Sequence, residues 1–178
     1  PGILRAAMRE AKVVTCFLLR RTGRGDEVLL LRRSQRVGTY RGRWAGVSGY
    51  LEEASPLEQA QREIEEETGL STENVRLLAE GEPLEVVDES IGVRWTVYPF
   101  LFEVGRTFDK AQDRPQKLRL DWEHVESRWV RPEEVAKLET VPGLAEALER
   151  VYGRAGHETR DTGPETRGKR KGERGKVQ

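Results

Sequence analysis

The apolar positions at the beginning of the chain predict a β-hairpin followed by a short third strand. Residues 13–19 are rich in β-branched and aromatic side chains, and a second apolar run at 27–31 follows the turn-forming segment 22–26. Residues 44–51 have a similar strand-like composition after a long polar stretch. The hydrophobic pattern thus predicts three strands before the first helical segment.

A change of pattern at Ser55 predicts the first helix. Ser55 can accept hydrogen bonds from free backbone amides, Pro56 suits the first turn, and Glu58 complements the helix dipole. Gly69 is expected to end the helix. The apolar residues of this segment recur at helical spacing and form one stripe: Leu57, Ala60 and Ile64. We expect this stripe to seat the helix on a sheet.

The second half of the chain predicts more strands and two further helices. Strands are expected at 75–87, 93–102, 117–120 and 127–130, and helices at 132–137 and 143–151. Pro99 indicates that the strand at 93–102 bends or lies at a sheet edge. Taken together, the elements predict a mixed sheet with a few helices, of the α/β (α+β) class.

Length and composition favour one folded domain with an unpacked tail. The chain has 178 residues, of which 36% are hydrophobic and 35% charged, and this is polar for a globular protein. We place the domain at 13–152, after an N-terminal extension at 1–12. Residues 153–178 are basic and lack apolar periodicity, so we expect this tail to be disordered. Because the net charge is zero, the remaining chain is acidic, which suits a metal site.

The chain has too few cysteines and histidines for a disulfide framework or a zinc cluster. Cys16 is the single cysteine, and His124 and His157 are the two histidines. We expect His124 to be a surface or hydrogen-bonded residue rather than a metal ligand. No apolar run reaches the roughly 18–20 residues of a membrane span, and no signal-peptide pattern is found. These features predict a soluble, cytoplasmic protein.

Three glutamates of the first helix are candidates for binding a metal ion. Glu63, Glu66 and Glu67 stand at i, i+3 and i+4, so they share an arc of about 100° on one face. Their mutual repulsion destabilises an isolated helix by a few tenths of a kcal/mol per pair, which a bound cation would remove. Oxygen ligands select hard ions such as magnesium, which takes further ligands from substrate phosphates. The spacing alone is more typical of a solvated acidic face in which Arg62 pairs with Glu66.

The same helix carries a motif that resembles a known family. Residues 62–70 read REIEEETGL, which resembles the second half of the Nudix box, Arg-Glu-aliphatic-any-Glu-Glu-any-Gly-aliphatic. The preceding residues 44–53, WAGVSGYLEE, resemble the strand and loop that enter that box. On these residues the chain is identified as a member of the Nudix superfamily, over about 13–151.

The resemblance implies a fold, a cofactor and an activity. The fold is an α/β/α sandwich whose loop-helix-loop motif binds magnesium or manganese and activates water to cleave a diphosphate linkage. The metal ligands implied by the match are Glu63, Glu66, Glu67 and the backbone carbonyl of Gly49. Arg62 is expected to orient the acidic group. The catalytic residues are then predicted as Arg62, Glu63, Glu66 and Glu53.

The first half of the box departs from the family pattern. Counting back from Arg62 places Ala54 where the family has a glutamate and Ser48 where it has a glycine. A one-residue deletion near Ala54 restores Gly49 as that glycine, with Glu52 or Glu53 as the displaced acid. Either a neighbouring glutamate substitutes, or the enzyme works with fewer ligands, or it no longer hydrolyses its ligand. Candidates for a general base outside the box are Asp88, Glu89, Glu123 and Glu126.

Several residues are candidates for binding the substrate. Arginines at 32, 33, 36, 41 and 43 could bind phosphate oxygens, and from this segment we select Arg32, Arg43 and Tyr40. Aromatic side chains could stack on a base or pack in the core: Tyr40, Trp95 and Tyr98.

The predicted function is hydrolysis of a nucleoside diphosphate linked to another group, so the expected partner is a small nucleotide-like molecule. Two alternatives stay open. One is a Nudix-fold binding or regulatory module without turnover, and the other is an RNA-associated protein, either an RNA-end-processing Nudix enzyme or a module tethered through the basic tail. Aromatic residues on a possible edge strand at 93–102 would also permit a homodimer.

Overall fold

A computed structural model describes residues 7–52, 54–105 and 121–158. Its sheet strands are β1 (Arg9–Thr22), β2 (Gly25–Arg33), β3 (Trp44–Ala45), β4 (Val47–Tyr50), β5 (Val75–Glu80), β6 (Leu84–Asp88), β7 (Val93–Val104) and β8 (His124–Val130). Two α-helices, α1 (Pro56–Thr68) and α2 (Leu144–Glu158), and a 3-10 helix (Pro132–Lys137) complete the described elements. The predicted strand at 117–120, Glu53 and the tail beyond Glu158 lie outside the described residues.

The eight strands form one mixed sheet around β1. The predicted hairpin is confirmed, since β1 pairs antiparallel with β2 and Thr22 stands opposite Gly25. β1 also pairs antiparallel with β4 and parallel with β7. Because both faces of a central strand are covered, its residues form a continuous apolar run rather than an alternating one.

Helices cover both faces of this sheet. On one face α2 and the 3-10 helix pack over a core that contains Phe17 and Leu19 of β1. On the other face Ala60 and Ile64 of α1 pack over a core that contains Cys16. The α/β/α sandwich expected from the sequence is therefore confirmed. None of the described helices combines the length and apolar composition needed to cross a bilayer.

The sheet includes residues that the sequence analysis placed in an N-terminal extension. β1 begins at Arg9, and its residues 9–12 pair with 93–96 of β7. Arg9, Glu10 and Lys12 are exposed, so the start of the strand has no apolar signature. At the other end, α2 continues to Glu158, beyond the predicted domain limit at 152.

Two segments predicted as single strands are each divided. Residues 44–51 divide at Gly46, because β3 pairs with β2 whereas β4 pairs with β1. A Cβ atom on Gly46 would stand 2.9 Å from the Cys16 carbonyl oxygen, so this crossing needs a glycine. Residues 75–87 divide into β5 and β6, which both pair with β7.

The edge position predicted for the strand at 93–102 is wrong. β7 has β1 on one side and, on the other, β6 up to Val97 and β5 from Phe100. Pro99 lies at the change from β6 to β5, where a missing N–H does not interrupt a ladder. Phe100 and Phe102 are buried in the core. The predicted homodimer therefore loses the exposed aromatic edge on which it was based.

Candidate active site

The helix that carries the acidic residues begins and ends as predicted. The Ser55 side chain accepts a hydrogen bond from the Glu58 amide at 3.3 Å, and the Glu58 carboxylate accepts one from the Ser55 amide at 3.4 Å. Gly69 ends α1 in the left-handed conformation, with φ of 77°. Ala60 and Ile64 are fully buried. Their packing sets which glutamates of α1 face the interior.

The three predicted metal-ligand glutamates of α1 differ in burial. Glu67 is 2% exposed, Glu63 is partly buried, and Glu66 is exposed. The structure therefore brings Glu63 and Glu67 together in the interior and leaves Glu66 at the solvent margin. Arg62 pairs with Glu52 at 3.6 Å rather than with Glu66, so it links α1 to the preceding loop.

Gly49 and Glu63 are in direct contact. A Cβ atom on residue 49 would overlap the Glu63 carboxylate, so a glycine is required here. Gln59 Nε2 donates a hydrogen bond to Glu63 Oε1 at 2.8 Å. Burial raises the pKa of Glu63 to about 7, opposed by the Gln59 hydrogen bond and assisted by the charge of Glu66. The contact is consistent with the sequence match that restores Gly49 as the glycine of the box.

Glu67 lies at the centre of a partly buried polar cluster, which we call the acidic cluster: Glu63, Glu67, Asp121, Glu123 and His124. The Ser48 amide donates a hydrogen bond to Glu67 Oε2 at 3.3 Å. His124 Nε2 stands 3.9 Å from the same oxygen, and His124 Nδ1 lies 3.0 Å from Asp121 Oδ1. Ligand atoms of Glu67, Glu123 and His124 all lie within 4.8 Å of one another.

The histidine of this cluster is not on the surface. His124 is 6% exposed and hydrogen-bonded to Asp121, so the hydrogen bond that the sequence analysis offered as one option is found and the surface position is wrong. Burial lowers the pKa of His124, against the opposing effect of Asp121.

The acidic cluster has the properties of a divalent-metal site. Burial raises the pKa of Glu67 well above its usual range, and the charge of Glu63 raises it further. Among the described residues, neither of these glutamates pairs with a lysine or arginine. A divalent cation would offset both charges, and carboxylate oxygens are ligands that magnesium and manganese prefer. The residues present therefore fit such an ion.

A cavity of about 440 Å³ opens beside the acidic cluster. Its charged lining residues are Glu52, Glu63, Glu123, Arg33 and Arg36. Its aromatic lining residues are Tyr40, Tyr50, Trp95 and Trp122. Trp122 is 61% exposed and Tyr50 is 52% exposed, which is unusual for large aromatic side chains. The volume suits a small organic ligand.

Two of the predicted substrate-binding residues do not line this cavity. Arg32 is exposed and pairs with Glu126 of β8 at 3.6 Å, and Arg43 donates to the Thr140 carbonyl at 3.4 Å. Neighbouring strand residues point to opposite faces, so Arg33 lines the cavity whereas Arg32 does not. Arg33 and Arg36 thus replace Arg32 and Arg43 as the arginines at the cavity.

Arg33 is held in place by the loop that follows β2. Its Nε donates to the Thr39 carbonyl at 2.9 Å, and its Nη2 donates to the Thr39 hydroxyl at 3.3 Å. Burial lowers the pKa of Arg33, opposed by the charges of Glu123 and Glu67. The guanidinium thus belongs to the same electrostatic environment as the acidic cluster.

Tyr40, the third predicted substrate residue, lines the cavity and also anchors its loop. Its hydroxyl donates to Asp88 Oδ2 at 2.7 Å and accepts from Trp95 Nε1 at 3.2 Å. Its backbone has a positive φ of 50°, an uncommon conformation for a residue other than glycine. Both roles offered by the sequence, ligand contact and packing, are compatible with this position.

One of the four candidates for a general base lines the cavity. Glu123 does so, whereas Asp88, Glu89 and Glu126 are not among its described lining residues. Asp88 instead accepts the hydrogen bond of Tyr40. Glu53, predicted as catalytic, cannot be placed because it lies outside the described residues.

Comparison with known proteins gives one family and a set of related folds. The family model described as NUDIX domain matches residues 6–151. No curated protein matches the chain.

Solved structures share the fold at low identity. A Nudix hydrolase from M. smegmatis, RenU, is 23% identical with a TM-score of 0.63, covering 88% of this chain and 90% of that chain. A C. elegans Ap4A hydrolase in a binary complex is 18% identical with a TM-score of 0.65, covering 83% and 98%. The NUDIX domain of Shewanella oneidensis NrtR, complexed with ADP ribose, is 16% identical with a TM-score of 0.59, covering 86% and 93%.

Proposed function

Because the chain belongs to the Nudix hydrolase family, we propose that it hydrolyses the diphosphate linkage of a nucleoside diphosphate joined to another group, with bound magnesium or manganese. One observation carries the proposal. Glu67 is buried and Glu63 partly buried, neither pairs with a lysine or arginine among the described residues, and Glu63 faces a cavity that arginines and aromatic side chains also line.

The metal would be held by carboxylates of α1 and by the backbone beside them. Glu63, Glu66 and Glu67 are the proposed side-chain ligands, and the Gly49 carbonyl is the proposed backbone ligand. When bound, the ion supplies Lewis-acid polarisation of phosphoryl oxygens and lowers the pKa of an attacking water. The Ser48 amide fixes the Glu67 carboxylate.

Residues of this chain would remove the proton from the attacking water and position the loop before α1. Glu123 is the proposed general base, because it lines the cavity and belongs to the acidic cluster. Arg62 positions the loop before α1 through its ion pair with Glu52. Glu53 keeps its predicted catalytic role. Either Glu53 or Glu52 would replace the glutamate that the family pattern has at the position of Ala54.

Cavity residues support a nucleotide-like substrate. Arg33 and Arg36 would bind phosphate oxygens, for which the guanidinium fork is well suited. The exposed rings of Tyr50 and Trp122 would stack on a nucleobase. The likeness to structures named for Ap4A hydrolysis and ADP-ribose binding makes adenosine phosphates the first substrates to test.

Product release from a substrate panel tests this proposal. The panel comprises nucleoside triphosphates, nucleotide sugars, ADP-ribose, dinucleoside polyphosphates and capped RNA, each with magnesium, manganese or chelator. Metal-dependent turnover that is lost in Glu67→Gln is expected. Turnover that persists in the presence of chelator would contradict the metal dependence.

A ligand-binding module without turnover is the second candidate. Ala54 stands where the family pattern has a glutamate, and Glu66 is exposed, so the ligand set could be too weak for catalysis. In this case ADP-ribose would bind, as measured by calorimetry, while no member of the panel is cleaved.

Location and macromolecular partners are separate proposals. A reducing cytoplasm suits the buried free thiol of Cys16. Binding of RNA through the basic tail would weaken with added salt and with deletion of residues 159–178. A homodimer would be detected by sedimentation.

A further inference from the structure

His124 presents one ring nitrogen to Asp121 and the other to the buried carboxylate of Glu67. Its side chain is 1% exposed, and Nδ1 stands 3.0 Å from Asp121 Oδ1. An ionised carboxylate only accepts hydrogen bonds, so Nδ1 carries the hydrogen. The neutral ring then keeps a lone pair on Nε2, the nitrogen nearer to Glu67.

The separation of Nε2 from Glu67 fits two atoms that bind one metal ion. Nε2 and Glu67 Oε2 are 3.9 Å apart, which is too long for a hydrogen bond. Two ligands with metal bonds of about 2.1 Å stand roughly 3–4 Å apart at ordinary coordination angles. One ligand atom from each of Glu67, Glu123 and His124 lies within 4.8 Å of the others. Glu123 therefore stands beside the pair formed by His124 and Glu67.

We infer that His124 Nε2 is a ligand of the metal ion held by Glu67, with Asp121 orienting the ring. The inference rests on the proposed metal-dependent function and adds a nitrogen to a site otherwise built from oxygen. A carboxylate behind a metal-bound histidine fixes its tautomer and orientation in many metal sites. Asp121 has that relation to His124.

A nitrogen ligand changes which metal the site prefers. Magnesium is bound by oxygen, whereas imidazole suits first-row transition metals. A site that adds one imidazole to its carboxylate ligands binds manganese or zinc in preference to magnesium.

Pulsed electron paramagnetic resonance of the full-length chain loaded with Mn²⁺ alone tests the inference. Coupling of the manganese to an imidazole nitrogen is expected in the wild-type protein and in His157→Gln, and its loss is expected in His124→Gln. His157 is the only other histidine of the chain, so the two variants separate the possible nitrogen sources.

Two outcomes overturn the inference: manganese bound to the wild-type protein without nitrogen coupling, and coupling that survives in His124→Gln. The absence of nitrogen coupling in the wild-type protein refutes the inference whether or not the variants fold. Turnover of the substrate panel is measured in parallel. Metal-dependent turnover without nitrogen coupling refutes the histidine ligand alone, whereas turnover with chelator refutes the proposed function.

Asp121→Asn provides an independent readout, because it keeps His124 but removes the carboxylate that orients it. Mn²⁺ affinity should fall about 10- to 100-fold, with a smaller change for Mg²⁺, as measured by titration calorimetry. Equal weakening of both metals would overturn the proposed metal preference.

Discussion

The acidic cluster and the arginines of the cavity are held by differently built parts of the chain. Glu63 and Glu67 stand on α1, whose capping box, apolar stripe and terminal glycine fix its ends and its rotation. The segment 34–43, which carries Arg36 and Tyr40 and supports Arg33, has no regular helix or strand. Side-chain hydrogen bonds hold it instead, above all those of Tyr40.

The two regions position their side chains in different ways, one by helix periodicity and the other by long-range hydrogen bonds. A helix places its glutamates by periodicity, so residues three or four apart are enough to define a face. The segment 34–43 depends on Asp88 and Trp95, which are 48 and 55 residues away from Tyr40 in sequence. Changes to α1 should therefore affect the chemistry itself, whereas changes to the segment should affect substrate binding.

The largest expected effect is that of Glu67→Gln. Removing this buried carboxylate should lower kcat by more than about a hundredfold, since it weakens the bound metal that supplies the Lewis acid. Glu65→Gln is the matched control, because Glu65 is an exposed acid of the same helix. Steady-state kinetics with magnesium and manganese provide the measurement. Equal activity of the two variants would remove Glu67 from the site.

Arg33→Gln should act mainly on KM. Loss of charged hydrogen bonds to a phosphate is worth about 1.5–3 kcal/mol, so KM should rise at least about tenfold with a smaller change in kcat. Arg32→Gln is the control on the neighbouring residue, which faces away from the cavity. A larger effect of Arg32→Gln would favour the original choice made from the sequence.

Tyr40→Phe should produce a smaller change, because it removes a hydroxyl and keeps the ring. Asp88 and Trp95 Nε1 each lose a hydrogen-bond partner, so stability should fall by about 1 kcal/mol and KM should rise. Tyr152→Phe loses a comparable hydrogen bond to Asp26 at 2.9 Å, and Tyr152 does not line the cavity. Urea denaturation and kinetics of both variants would separate stability from substrate binding. A similar KM in both variants would argue against the anchoring role.

The smallest expected effect is a pH dependence of the metal-free protein. The pKa of Glu63 is raised to about 7 in the folded state from an ordinary value of 4.5, so the folded form holds a proton that the unfolded form releases. Stability contributed by this group is therefore lost as pH rises from about 4.5 to about 7. Glu63→Gln should stabilise the protein relative to wild type more at pH 8 than at pH 5.

Denaturant titration in chelator measures this difference. The pKa of His124 is lowered, so its contribution to stability changes with pH in the opposite direction. This contribution is present in both proteins and is removed when the variant is compared with wild type at the same pH. An identical difference at pH 5 and pH 8 would contradict the prediction, and saturating magnesium should abolish the advantage of the variant at pH 8.

The features that the sequence predicts are those encoded by neighbouring residues. The hairpin and α1 follow from runs and spacings within about 15 residues, and the structure places both as expected. Of the three glutamates predicted to share one face, Glu67 is buried, Glu63 is partly buried and Glu66 is exposed. The division of 75–87 depends on β7 as a shared partner, which no local pattern encodes. No local pattern singles out His124 or Arg33 either, because each reaches the acidic cluster through residues that are distant in sequence. One local signal was available for His124. Two acids and a tryptophan, Asp121-Trp122-Glu123, stand directly before it at the start of β8.

The single thiol of the chain lies under the helix that carries the glutamates. Cys16 is fully buried in β1, and its Sγ lies 3.8 Å from the Ala60 carbonyl oxygen of α1. Burial raises its pKa, as do the charges of Glu67 and Glu63. A thiol-modifying reagent can reach this sulfur when α1 lifts from the sheet or when the domain unfolds. The unmodified protein therefore carries its own probe of helix opening, and a labelling rate that metal slows at unchanged global stability would report opening of the site.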